Sequence, residues 1–209
     1  MNLHAMLQKR EASGKPLRVG LIGAGKFGAM YLAQVPGTPG IHLAGIADLS
    51  PAGARANLER VGWLPETFAA PSLDAAFRER RTHVGEDWEA LVAHPSIDII
   101  IEATGNPIAA VSHVLAAFRN GKHVVNVTVE ADCMCGPLLA RRAEQAGVVY
   151  SLAYGDQPAL ICDLVDWARA AGFSVVAAGR GHKWLPHFAQ STPDTVWGHY
   201  GLTAEQARV

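Results

Sequence analysis

Residues 19–28 read "VGLIGAGKFG", a short apolar run ending in three glycines, Gly23, Gly25 and Gly28. An apolar run of this length closed by glycine predicts a buried strand, within "PLRVGLIG" (16–23). The next segment, "KFGAMYLAQV" (26–35), reads as a helix that stops at Pro36. Between a strand and a helix, three glycines at this spacing have a physical use. Gly23 allows the tight turn, Gly25 lets the backbone approach a pyrophosphate, and Gly28 lets helix and strand pack closely. The helix start, at Lys26 and Phe27, supplies free N–H groups and a partial positive charge for phosphates.

A turn that binds a dinucleotide also needs an acid about 20 residues further on, at the end of the second strand. The strand "IHLAGIAD" (41–48) puts Asp48 there, where its carboxylate accepts hydrogen bonds from the adenosine ribose. An acid at that point favours NAD, because it repels a 2′-phosphate. Arg55, one turn into the next helix, is the candidate cation for such a phosphate, although an arginine there is more often a solvated helix charge. The plainer reading is a glycine bend with an exposed Asp. The strand, the spacing and the acid together favour dinucleotide binding.

Outward from this unit, strand-like and helical runs alternate. Ser50 and Pro51 give an N-cap and a first helical residue, for a helix that ends at Gly62. Residues 63–86 break the rhythm and read as an insertion or elaborated crossover, with a helical patch near 72–81 and no strand. A short helix at 87–93 precedes the buried strand 97–104, and a helix runs from Pro107 to Gly121. A strand at 122–128, a helix ending at Gly147, a strand at 148–153, a helix ending at Gly172 and a strand "FSVVAAG" (173–179) follow. Such alternation predicts an α/β fold with a doubly wound parallel sheet, followed by the start of a second α/β portion. The expected domains are an N-terminal extension (1–15), a dinucleotide-binding domain (16–155) and the beginning of a catalytic or substrate portion (156–209). In the extension, Leu3, Met6 and Leu7 mark one short helix. The ending "GLTAEQARV" reads as a helix cut off in mid-structure.

In a doubly wound sheet ligands sit beyond the carboxyl ends of the strands. Thr104, Gly105 and Asn106 end the strand at 97–104 and are expected near the nicotinamide ribose; the alternative is a plain turn. Asn126 and Thr128 are candidates to line the nicotinamide pocket. Glu130 and Asp132 are carboxylates at the same sheet end, suited to acid–base work or metal binding. Helix capping is the alternative, favoured for Asp132 and left open for Glu130. Asp156 is a further candidate, with an N-cap role as the even alternative. Lys183, beside His182 and His187, could bind a substrate phosphate or donate a proton, though such a lysine is more often simply exposed. Glu130, Asp156 and Lys183 are therefore the catalytic candidates.

The composition narrows the function classes. Lys and Arg number 18 against 19 Asp and Glu, a net charge of −1, which argues against a partner bound by phosphate neutralisation. Cys133, Cys135 and Cys162 form neither a disulfide framework nor a zinc motif, and are expected as small buried or half-buried side chains. No signal peptide or membrane span is read, so the expected location is cytoplasmic and the expected partner a small-molecule substrate.

The motifs "RVGLIGAGKFG", "IADLSP", "IIEATGNP", "VVNVTVEAD", "AYGDQPALICDLVDWAR" and "STPDTVWGHYGLT" together resemble the 1-deoxy-D-xylulose-5-phosphate reductoisomerase-like oxidoreductases. The N-terminal part also looks like that of homoserine dehydrogenase. The resemblance covers nearly all of residues 16–207 and implies NADP or NAD, a reductive isomerisation of a sugar phosphate or related polyol, and a divalent metal (Mg or Mn). Which residues bind such a metal is not carried over. Cofactor roles carry onto Gly23, Gly25, Gly28, Asp48 and the Thr104–Gly105 turn. Homo-oligomers are among the expected assemblies. Family members are about twice as long, which implies further catalytic structure beyond Val209. Homoserine dehydrogenases usually carry a lysine shortly after the Asn of "VVN"; Val129 and Glu130 stand there instead. Two alternatives to the reductoisomerase reading remain: a non-catalytic NAD(P)-binding or sensor module, and a homoserine dehydrogenase-type oxidoreductase.

Overall fold

The computed structural model describes residues 2–154, 157–179, 185–192, 194–199 and 203. The chain divides into two compact units, Met1–Ala159 and Leu160–Val209.

In the first unit, helix α1 (Leu3–Ala12) precedes strand β1 (Leu17–Ile22), helix α2 (Lys26–Gln34) and strand β2 (Ile41–Ala47). Helix α3 (Pro51–Arg60), helix α4 (Leu73–Glu79), strand β3 (His83–Gly85) and helix α5 (Trp88–Ala93) follow. The unit continues with β4 (Ile99–Glu102), α6 (Pro107–Arg119), β5 (His123–Asn126), α7 (Val129–Ala146) and β6 (Tyr150–Leu152). The sheet runs β3-β2-β1-β4-β5-β6 and every pair is parallel. This is the doubly wound architecture, with the strand order reversing between β1 and β4.

The strands feed two cores on opposite faces of the sheet, by alternation along β1 and, along β2, across a register shift at Ala44 that puts Leu43 and Ile46 on the same face. Val19, Leu21, Leu43 and Ile46 pack with Leu32, Ala54 and Leu58 of α2 and α3. Ile22, Ala44, Ile100 and Val124 pack with Leu91, Val114, Phe118 and Leu139 of α5, α6 and α7. Covering both faces explains why the strands are apolar runs rather than alternating ones.

Three expectations change. Residues 63–86 contain a sheet strand, β3, paired with β2 from Gly45↔His83 to Ala47↔Gly85. At three residues it is too short to show a period of two, and only pairing with β2 defines it. Residues 173–179 carry no strand, and Val176 is 96% exposed. An apolar run becomes a strand only when it pairs with another strand, and among the described residues none pairs with it. Cys133 and Cys162 are exposed rather than buried, because both lie on helix faces turned to solvent; Cys135 is half-buried. The helix α8 (Gln157–Ala170), most of which lies in the second unit, leaves Leu164 and Trp167 exposed.

Candidate functional site

The glycine turn lies where the strand order reverses. Gly23 has φ +92°, and a Cβ there would sit 2.7 Å from the backbone carbonyl of Ala103, at the end of β4. The position therefore needs glycine both for its backbone angle and for the approach of β4. A Cβ on Gly28 would lie 2.5 Å from the Gly23 carbonyl oxygen, so the start of α2 presses directly on the turn. Around Gly25 the opposite holds: a Cβ would meet no protein atom within 4 Å. Gly25 is the N-cap of α2, and no side chain caps this helix, so its first N–H groups, at Lys26 and Phe27, face outward without a side-chain acceptor. Helices α3, α4, α5 and α6, by contrast, are capped by Ser50, Ser72, Asp87 and Asn106.

Asp48 follows β2 directly. One carboxylate oxygen accepts from Ala24 N (2.7 Å) and the other from Ser50 N (2.8 Å), so the acid ties the glycine turn to the end of the second strand. Each oxygen keeps a second lone pair for a hydroxyl donor. Arg55 donates to the Val84 carbonyl at 2.8 Å, which holds it in a structural contact. A cleft of about 220 Å³ opens beside the turn, lined among others by Gly23, Gly25, Asp48, Glu86, Trp88 and Thr104. Two larger hollows, about 440 and 530 Å³, lie at the opposite end of the sheet, beside Ile41, His42, Leu17 and Arg18 where the strands begin. The smaller cleft is the candidate site, since α2 and the strand ends point their donors there and not at the far end.

Behind the cleft is a buried polar network that the sequence reading did not single out. Glu102, the last residue of β4, is fully buried. Its Oε1 accepts from Thr104 Oγ1 (2.6 Å) and lies 3.2 Å from His113 Nδ1. Its Oε2 accepts a short hydrogen bond from Thr128 Oγ1. Thr128 in turn accepts from Gly105 N at 3.0 Å, so one carboxylate holds both the Thr104–Gly105 turn and the residue before α7. Trp88 tilts over His113 with ring centroids 4.5 Å apart. Asn126 donates to the Thr128 carbonyl and to the Tyr150 hydroxyl, each at 3.1 Å, and Tyr150 donates to Asp132 at 3.1 Å. Burial and the adjacent Asp132 push the Tyr150 hydroxyl well above its ordinary value. The available signal was an acid ending an otherwise apolar strand, "IIIE" (99–102).

The other sequence candidates now have places. Asn126 and Thr128 do not line a pocket. They are 0% and 2% exposed, because Thr128 is bonded to Glu102 and Gly105, and Asn126 to the Thr128 carbonyl and the Tyr150 hydroxyl. Asn106 spends its side-chain oxygen on capping Ile108 N and Ala109 N, both at 3.1 Å. Asp132 lies in the first turn of α7 and takes the Tyr150 hydroxyl, whereas Glu130 is exposed in the same turn. Asp156 and Lys183 lie outside the described residues. Among the described residues no three His, Cys, Asp or Glu side chains cluster to hold a metal ion, so no step is assigned to one. No helix among them is long and apolar enough to cross a membrane.

Residues 17–126 match the oxidoreductase family with an NAD-binding Rossmann fold. The chain belongs to that family. Within this NAD-binding oxidoreductase family, the match covers β1 through β5, the strands that carry the turn, Asp48 and Glu102. Residues 155–208 match a second description, the catalytic domain of oxidoreductase DRL. Solved structures share the fold at low identity. An NAD-binding oxidoreductase from Klebsiella pneumoniae is 23% identical with a TM-score of 0.50, over 75% of this chain and 39% of its own. A homoserine dehydrogenase from Thiobacillus denitrificans is 22% identical with a TM-score of 0.52, over 75% of this chain and 34% of its own. The chain thus spans well under half the length of these structures. No curated protein matches it in sequence.

Proposed function

We propose that the first unit binds a nicotinamide dinucleotide and serves as the cofactor-holding part of a hydride-transferring oxidoreductase. The open space at Gly25, above an uncapped helix start, is the observation that carries this reading. The residues fit the group. The N–H groups at the start of α2 would receive the pyrophosphate, and Asp48 the adenosine ribose. Thr104, Gly105 and Asn106, fixed through Glu102, would border the nicotinamide end. The bound cofactor supplies the hydride; the chain supplies position and electrostatics. Within this scheme Glu102 orients the turn and does not touch the reacting atoms.

For the whole protein, homoserine dehydrogenase-type chemistry and reductive isomerisation of a sugar phosphate or related polyol are the two substrate readings. The family match and the fold shared with homoserine dehydrogenase support an oxidoreductase without choosing the substrate. The match of residues 155–208 to a catalytic domain supports reading that segment as catalytic structure, with Asp156 and Lys183 as its candidates and Glu130 as the candidate of the preceding part. The test is a titration of the chain with NADH and NADPH, followed by turnover assays against sugar phosphates and homoserine. Absence of binding by both cofactors rejects the proposal. Binding without turnover on any of these substrates leaves the chain a dinucleotide-binding module.

A further inference from the structure

We infer that Glu86 is a specificity-determining residue that makes this cleft select NAD(H) against NADP(H), an inference resting on the dinucleotide reading above. The strand β3 ends in register with β2, at Ala47↔Gly85, and Asp48 N donates to the Gly85 carbonyl at 2.9 Å. Asp48 and Glu86 therefore leave adjacent strands side by side, at a strand spacing of about 4.8 Å. Both line the cleft.

Their situations differ. Both oxygens of Asp48 already hold backbone N–H groups of the turn. Glu86 is exposed, and among the described residues its carboxylate has no hydrogen-bond or ion-pair partner. It is thus a full negative charge at the cleft wall with no structural task. Neither arginine of α3 reaches the cleft lining: Arg55 donates to the Val84 carbonyl at 2.8 Å, and Arg60 donates to Asn57 Oδ1 at 3.1 Å. Among the described residues, no Lys or Arg lines the cleft. A phosphate monoester of nearly two negative charges would face two carboxylates there. A ribose 2′-hydroxyl would instead offer them a donor.

For a doubly charged phosphate about 6 Å from one carboxylate in a water-like dielectric, the penalty is about tenfold in affinity. Glu86 is the cleaner probe of it, since changing Asp48 also releases the turn. The experiment measures dissociation constants of NADH and NADPH for the whole chain, unaltered and as Glu86→Gln and Glu86→Lys, by calorimetry at low salt and at about 1 M salt, where the Debye length is about 3 Å. The expected result is a preference for NADH in the unaltered chain. Glu86→Gln should tighten NADPH about tenfold with NADH changed less than about threefold, and Glu86→Lys should go further. The gain should shrink at high salt. An unchanged NADH-to-NADPH ratio in both variants, with NADH still bound, overturns the role of Glu86 and leaves the dinucleotide reading standing. Tighter binding of NADPH than NADH by the unaltered chain does the same. Binding of neither cofactor removes both.

Discussion

Replacing Gly25 by valine separates a ligand's need for space from the fold's need for glycine. The residue has φ −69° and ψ −152°, an extended conformation open to any L residue, and its Cβ would meet no protein atom within 4 Å. Restricting the unfolded chain by losing a glycine adds about 0.4–1 kcal/mol of stability. Valine is a poorer N-cap than glycine, by a similar amount. The two nearly cancel, so the melting temperature should move by less than about 4 °C for a chain of this size. The pyrophosphate, however, would lose its approach to the helix start. We expect NADH affinity to fall at least about tenfold, or 1.4 kcal/mol. Gly28→Ala is the control: its Cβ would sit 2.5 Å from the Gly23 carbonyl oxygen. Overpacking of that kind costs about 1–3 kcal/mol and lowers the melting temperature by several degrees. Thermal unfolding by circular dichroism and NADH titration by energy transfer from tryptophan measure both quantities. A folded Gly25→Val chain with unaltered NADH affinity would refute the assignment of that space to the cofactor.

Removing the buried carboxylate by Glu102→Ala leaves Thr104, Thr128 and His113 without their shared acceptor; we expect a loss of about 2–4 kcal/mol by urea unfolding, and a loss under about 0.5 would show the network is not structural. The Arg18 guanidinium, bonded to Asp98 at 2.9 and 2.5 Å, holds the Asp98 carboxyl below its ordinary value. The folded carboxylate is therefore harder to protonate than the unfolded one, so the stabilisation is present in full above about pH 4 and is lost as pH falls further. With both side chains partly exposed it is worth under about 1 kcal/mol, and Asp98→Asn should flatten the acid limb of the stability curve; superimposable acid limbs would contradict this. A thiol reagent should modify Cys133 and Cys162 quickly and Cys135 slowly, since Cys135 is half-buried and lies 3.4 Å from the Ala131 carbonyl; three equal rates would disagree.

What could be read from the chain alone was whatever depends on neighbours in sequence. Glycine at 23, 25 and 28 between an apolar run and a helical one, Asp48 twenty residues on, and proline or glycine at helix ends are local signals. They were enough for the doubly wound fold and for placing the cofactor candidates at one end of the sheet. Tertiary structure alone decided the rest, because hydrogen bonds between strands and burial are made by residues far apart in the chain. The three residues of β3 became a strand only beside β2, while the longer, mostly apolar run at 173–179 did not, having no described strand to pair with. Glu102 carries no sequence signal of its own role beyond ending an apolar strand; that role comes from His113 and Thr128, 11 and 26 residues away, brought to it by folding. Likewise, the sequences around Asp48 and Glu86 do not say that one carboxylate is tied to the backbone and the other is unengaged. Parallel pairing of β2 with β3 sets the two side by side, and the spare lone pairs and unbalanced charge that result are properties of that pairing.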